Sequence, residues 1–251
     1  MGLFDFLTKK SQPTQSSPKK PSERELARLA RLVGDKMSQN IDRQDAIAQL
    51  SELGTPEAAA ALLKRFNWSM DPSITDQEEK EAAARGVVAA GEAALEPIRD
   101  YATKAESLTW PIKILRQIVS EDRIVDELLG ILDEFDTEYV RNVEPKKQLV
   151  ATLAEFPSQD VREAVEPFLL DISEPVRFEA VTTTFAMNDP ECVSSLIEAL
   201  AEEESLRVRN RIAFGLADRG WPISEELVET VQKALPPEFF MDGRRVRHKG
   251  A

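Results

Sequence analysis

Arg43-Gln-Asp-Ala46-Ile-Ala-Gln-Leu50, Lys146-Lys-Gln-Leu149-Val-Ala-Thr-Leu153 and Val208-Arg-Asn-Arg-Ile212-Ala-Phe-Gly-Leu216-Ala217 share one apolar rhythm. Apolar residues three and four apart place one stripe along an α-helix. The pattern starts anew at Asp42, Lys80, Trp110, Pro145, Val176 and Val208, at intervals of 38, 30, 35, 31 and 32 residues. A period in the thirties leaves room for two helices and their turns, the signature of an α-solenoid. It constrains the fold more than any other feature, because such a unit buries its apolar face only against a copy of itself.

The punctuation agrees. Gly54-Thr55-Pro56 ends one helix, caps the next and fills its first turn. Six pairs follow from period and breakers: 42–53 with a partner to about 66, 76–90 with 92–105, 108–119 with 121–134, 143–156 with 158–170, 174–187 with 189–203, and 206–218 with 224–235. Ser22 and Glu25 stand at capping-box spacing before Leu26, Leu29, Ala30 and Val33, and Thr75 and Glu78 repeat that spacing. Residues 11–21, SQPTQSSPKKP, contain no aliphatic side chain and read as a flexible, disordered linker. The chain therefore divides into an N-terminal segment and linker (1–21), a helical body (22–235) and a basic tail (236–251). In that tail Asp242-Gly243 suits the turn of a small capping hairpin; disorder is the competing reading.

Composition narrows the class further. Aromatics are 6% of 251 residues and glycines number ten, which disfavours a strand-rich fold and points to all-α. No apolar run reaches the length of a membrane span. The N-terminus has neither a basic leader nor a cleavage site, and Phe6 occupies the position where a myristoylation signal needs Ser or Thr. One cysteine makes no internal disulfide, so the expected compartment is the cytoplasm. Net charge is −13, but residues 1–22 carry +3 and residues 238–251 carry +2, which leaves −18 on the body. Such a body repels phosphate backbones, so nucleic acid is not the expected partner.

The Val176-Arg-Phe-Glu-Ala180 opening, the apolar residue about eight positions on, and Leu196-Ile-Glu-Ala-Leu200 in the second helix resemble HEAT repeats. The closest variety is the short bacterial kind, also found in phycobilisome-lyase-like proteins. The resemblance spans about residues 41–235, clear in the fifth and sixth units and looser in the second and third. It implies a right-handed α-solenoid of about six HEAT-like helix pairs, curved so that the second helices line the concave face.

Chemistry is sparse. The single histidine, His248, lies in the tail, and zinc sites need several Cys and His ligands. The paired His-Glu motifs of HEAT-repeat hydroxylases are absent, and so is a glycine-rich phosphate loop. Cys192 opens a helix, which favours a thiolate, yet Glu191 and the lack of a base oppose it; the expected role is packing. No catalytic residue, cofactor or metal is expected.

Charge gives the sharper signal. Stretches 121–134, 158–170, 189–204 and 222–235 hold eighteen acids against three bases. On the plain reading these carboxylates are only the solvated face of amphipathic helices. The functional reading is an acidic trough that steers and holds a basic peptide or protein. Its candidates are Asp126, Glu127, Glu163, Glu166, Glu198, Glu202 and Glu226, with Trp68 and Met70 from the connection at 67–76. First-helix bases (Arg43, Lys113, Arg116, Lys146, Lys147, Arg177, Arg209 and Arg211) are expected to bridge neighbouring units. Leu3, Phe4, Phe6 and Leu7 recur at helical spacing before Lys9 and Lys10, suited to docking in a groove or resting weakly on a membrane. The expected function is a non-catalytic protein-binding scaffold. Two alternatives stand beside it: a HEAT-like enzyme or enzyme subunit of bilin-lyase or DNA-glycosylase type, and an assembly factor tethered to a membrane by residues 1–10. Oligomeric state stays open.

Overall fold

Ser22 opens the first helix as read: its hydroxyl accepts the Glu25 amide at 3.2 Å. The computed structural model describes residues 21–250; Leu3, Phe4, Phe6, Leu7 and almost all of the linker lie outside the described residues. The chain is mostly helical. Thirteen α-helices are described: α1 (Glu23–Gly34), α2 (Asn40–Leu53), α3 (Pro56–Leu63), α4 (Ser73–Ala89), α5 (Leu95–Ala102), α6 (Thr109–Ile118), α7 (Glu121–Leu132), α8 (Glu144–Leu153), α9 (Gln159–Val165), α10 (Glu174–Met187), α11 (Val193–Glu202), α12 (Leu206–Arg219) and α13 (Val228–Ala234). Strands β1 (Phe239–Asp242) and β2 (Arg245–His248) form an antiparallel hairpin around a Gly243-Arg244 turn, one residue past the expected pair, because Asp242 closes β1 opposite Arg245. It packs on α12 and α13. Among the described residues no helix is long and apolar enough to cross a membrane.

Several boundaries follow local chemistry. Gly54 takes φ 58°, a left-handed stop that costs glycine little, and Thr55 caps the Ala58 amide at 3.3 Å. Others depart from the sequence reading. Thr75 and Glu78 form no cap, because α4 begins at Ser73, after Pro72. The Asp76 amide donates to Pro72 O, which puts Asp76 inside the first turn. There its carboxylate meets Arg65 at 2.7 Å and Lys80 at 2.8 Å. The expected helix over 158–170 breaks into α9 and a 3-10 turn, Glu166–Leu170, since Pro167 has no amide to continue the ladder. The expected helix over 92–105 likewise opens with a 3-10 turn, Gly91–Ala94.

Contacts run between helices that are close in sequence. In one layer α2 packs on α4, α4 on α6, α8 on α10, and α10 on α12. In the other, α3 packs on α5, α5 on α7, α7 on α9, and α11 on α13, with the Glu166–Leu170 turn filling the step from α9 to α11. The apolar residues between the layers form one buried core. Close approach is built in at Gly215 of α12: a Cβ there would stand 2.2 Å from the Phe185 ring of α10.

A basic residue heads the apolar stripe in five helices of the first layer: Arg43 in α2, Lys80 in α4, Lys146 in α8, Arg177 in α10 and Arg209 in α12. Each precedes buried residues at plus three, four and seven, as Lys146 precedes Leu149, Val150 and Leu153. In α6 the equivalent residue is Pro111. The last three heads reach the same place. Lys146 meets Asp171, 25 residues on; Arg177 meets Glu203, 26 on; Arg209 donates to the Ala234 carbonyl, 25 on. Asp171 and Glu203 then each accept an amide two residues ahead, from Ser173 at 2.8 Å and Ser205 at 2.7 Å. One acid thus ties the first helix of its own pair to the first turn of the next.

Candidate functional site

The carboxylates predicted to bind a partner fall into two groups. Asp126 on α7, Glu163 on α9, Glu198 and Glu202 on α11, and Glu226 before α13 are exposed. Glu127 and Glu166 face inward instead. Glu127 is buried and accepts Arg99 of α5 at 2.6 Å, with Arg123 at 3.7 Å. Glu166 accepts Arg162 at 2.9 Å and the Ser195 hydroxyl of α11 at 3.2 Å. These two hold helices together, so the exposed negative charge rests on the other five, of which Glu163 is also engaged by Gln159 at 2.7 Å and Arg162 at 3.5 Å.

The second layer is grooved. Between α7 and α9 lies a depression of about 480 Å³, with Leu129, Leu132 and Phe168 among its walls and Asp133, Asp136 and Glu163 at its edge. Between the Glu166–Leu170 turn and α11 lies another of about 300 Å³. Its apolar lining includes Leu169, Leu170 and Ile172, and its rim carries Glu202 and Glu204. Leu170 is 44% exposed, Ile172 60% and nearby Tyr139 76%, a cluster that sequence reasoning passed over. Its backbone is fixed from below: Ile172 N–H donates to Thr137 O at 3.0 Å, and buried Lys146 binds Asp136 O, Glu138 O and Asp171. Apolar wall residues beside acidic rims suit a side chain flanked by cations, with apolar contact supplying affinity and charge supplying approach rate.

Glu203, beside this rim, is committed to the fold. Burial raises its pKa, but the Arg177 side chain and the Ser205 amide outweigh burial and hold the carboxyl below its ordinary 4.5. A depressed carboxyl stabilises the fold above its unfolded pKa and loses that contribution as pH falls through the folded value. The thermal stability of the wild type should therefore fall progressively below about pH 4.5. A Glu203→Gln variant should show a shallower loss over the same range; identical slopes would remove Glu203 as a contributor.

The connection after α3 turns inward as well. The Trp68 ring lies 3.7 Å from the Arg65 guanidinium and 5.0 Å from that of Arg43. The Met70 sulfur accepts Arg43 at 3.3 Å, and the Met70 amide donates to Asp76. Ile74, on the first turn of α4, is 71% exposed. The first-helix bases are mostly occupied too: Arg116 pairs with Glu155, Lys147 with Glu144, and Arg211 donates to Thr182.

Cys192 is fully buried, its thiol donating to Asp189 O at 2.8 Å. Burial, with Glu166 and Asp189 nearby, pushes its pKa up to about 12, so it stays a neutral thiol at physiological pH. His248 is wedged between the rings of Phe214 and Phe239. Among the described residues no three His, Cys, Asp or Glu side chains converge as a metal site. No protein-family model matches the chain, and no curated protein matches it.

Proposed function

We propose that this protein is a non-catalytic interaction scaffold, a right-handed α-solenoid of about six HEAT-like helix pairs. Its second helices line the concave face and bind a basic segment of a partner protein. The near-neighbour contacts support the repeat architecture, as does the tie from the head base to the end of its own pair, to an acid in the fourth and fifth pairs and to the Ala234 carbonyl in the sixth. The observation that carries the function is the pair of grooves rimmed by exposed carboxylates, the one between α7 and α9 floored by apolar side chains and the one beside α11 mixing Leu169, Leu170 and Ile172 with the Arg177–Glu203 pair. Trp68 and Met70 are left out of the binding surface, because Arg43, Arg65 and Asp76 already engage them.

Glu198 and Glu202 stand one turn apart on α11 and both are exposed, so reversing their charge leaves the core untouched. Tagged wild type should capture a partner from native cytoplasm with yield falling as salt rises. Glu198→Lys combined with Glu202→Lys should weaken that capture about tenfold, equivalent to ~1.4 kcal/mol. Equal capture by wild type and the double variant would sink the acidic-face reading.

A further inference from the structure

We infer that the chain's own segment Leu3–Lys10 docks in the groove between α2 and α4, where it shields that surface. The inference is independent of the proposed partner face, which lies on the other layer.

The groove holds about 410 Å³. Small residues make its floor: Ala48 and Ser51 from α2, and Ala82, Gly86 and Ala89 from α4. The smallness of Gly86 is enforced from beneath, because a Cβ there would meet Ser51 Oγ at 2.1 Å and Leu62 Cδ1 at 2.8 Å. Large side chains on an incoming segment fit a floor of small ones, and Leu3, Phe4, Phe6 and Leu7 supply four within five residues.

Reach is settled by which ends lie together. Gly34 approaches Lys64, while Arg43, Arg65, Asp76 and Glu79 meet in one cluster. The C-terminal ends of α1 and α3 and the N-terminal ends of α2 and α4 therefore share one end of the bundle. Helix α1 packs lengthwise on α2 and α3, so Ser22 stands at the opposite end, with Leu53 and the Ser51–Gly86 contact. Residues 11–20 span up to about 33 Å when extended, longer than the roughly 21 Å of a helix the length of α2. That length lets residue 10 reach the Ser51–Ala89 end, nearest to Ser22, and we set the apolar run along the floor from there toward Gln44 and Glu78.

Charge matches that direction. Lys9 and Lys10 arrive at the C-terminal ends of α2 and α4, where the helix dipoles are negative and Glu52 is exposed. Asp5 falls midway, where the exposed base of the lining is Arg85.

A benzophenone amino acid placed at Phe6 in the full chain tests this. On irradiation, cross-links should map within residues 44–51 and 78–89 of monomeric protein. Ala48→Glu, an exposed change that spares the core, should cut their yield at least tenfold while circular dichroism and Tm stay at wild-type values. Cross-links confined to covalent dimers would make a second copy the occupant and overturn the inference. So would cross-links spread over the surface, cross-links on the α9–α11 groove, capture of the probe by added anionic lipid vesicles, or an unchanged yield in Ala48→Glu.

Discussion

Replacing Glu79 with alanine is expected to destabilise the protein by about 3–5 kcal/mol, the cost of leaving buried charge without its partner. Glu79 sits under two guanidinium groups, both fully buried: Arg43 at 2.7 Å and Arg65 at 2.9 Å. The alanine variant leaves Arg65 with Asp76, the Trp68 carbonyl and the Trp68 ring, and leaves Arg43 with Asn40, the Ser38 carbonyl and the Met70 sulfur. Arg43 then has no carboxylate at all. For a chain of this size the loss corresponds to a fall of about 6–20 °C in Tm. Thermal unfolding followed by far-ultraviolet circular dichroism measures it. Glu202→Ala on the exposed rim is the control and should lie within about 0.5 kcal/mol of wild type. A Glu79→Ala loss below 1 kcal/mol would mean that water reaches the guanidinium groups. The damage should also be local: amide exchange should quicken first in residues 68–72, which this cluster pins to α2 and α4.

Local signals in the sequence were sound where local bonds decide. Ser22 and Thr55 cap as spaced, Gly54 stops α2, and Gly243 opens the hairpin turn, though Asp242 belongs to the strand before it. The start of α4 was misplaced because it depends on Asp76 meeting Arg65, eleven residues back across a turn, and no capping rule contains that pairing. The break at Pro167 was visible as a proline within an expected helix, but the apolar run around it masked the signal. Buried bases were the larger omission. Lys146 and Arg43 occupy core-stripe positions by spacing alone, which marks them as inward-facing charges in need of partners. The expectation that these bases bridge neighbouring units named no carboxylate partner for them and did not place them in the core. The same habit put Glu127 and Glu166 among the free carboxylates. Each lies four residues after a base, Arg123 and Arg162, a spacing that signals engagement.

Asp171 supplies the second large effect, and a double substitution separates what it does for stability from what it does for shape. The Lys146 ammonium is fully buried, 2.6 Å from Asp171 Oδ2, with the Asp136 and Glu138 carbonyls at 2.8 and 3.2 Å. Asp171→Ala strands that ammonium with two neutral acceptors and also frees the Ser173 amide at the start of α10. A loss of about 3–5 kcal/mol is expected. Adding Lys146→Met removes the stranded charge and fills the stem's place with apolar volume, so the double variant should regain at least half of the loss. A double-mutant cycle on urea unfolding gives the coupling directly. If Asp171→Ala costs under 1 kcal/mol, or the second change restores nothing, the pair is not the anchor described here. Recovered stability should not bring back recovered order, however. Without the ammonium, nothing holds the Asp136 and Glu138 carbonyls, and the segment carrying Tyr139 should exchange its amides faster in the double variant than in wild type. On that reading the ion pair is kept less for its net energy than for fixing the Asp136–Glu138 backbone against Asp171, whose neighbour Ile172 lines the acidic groove.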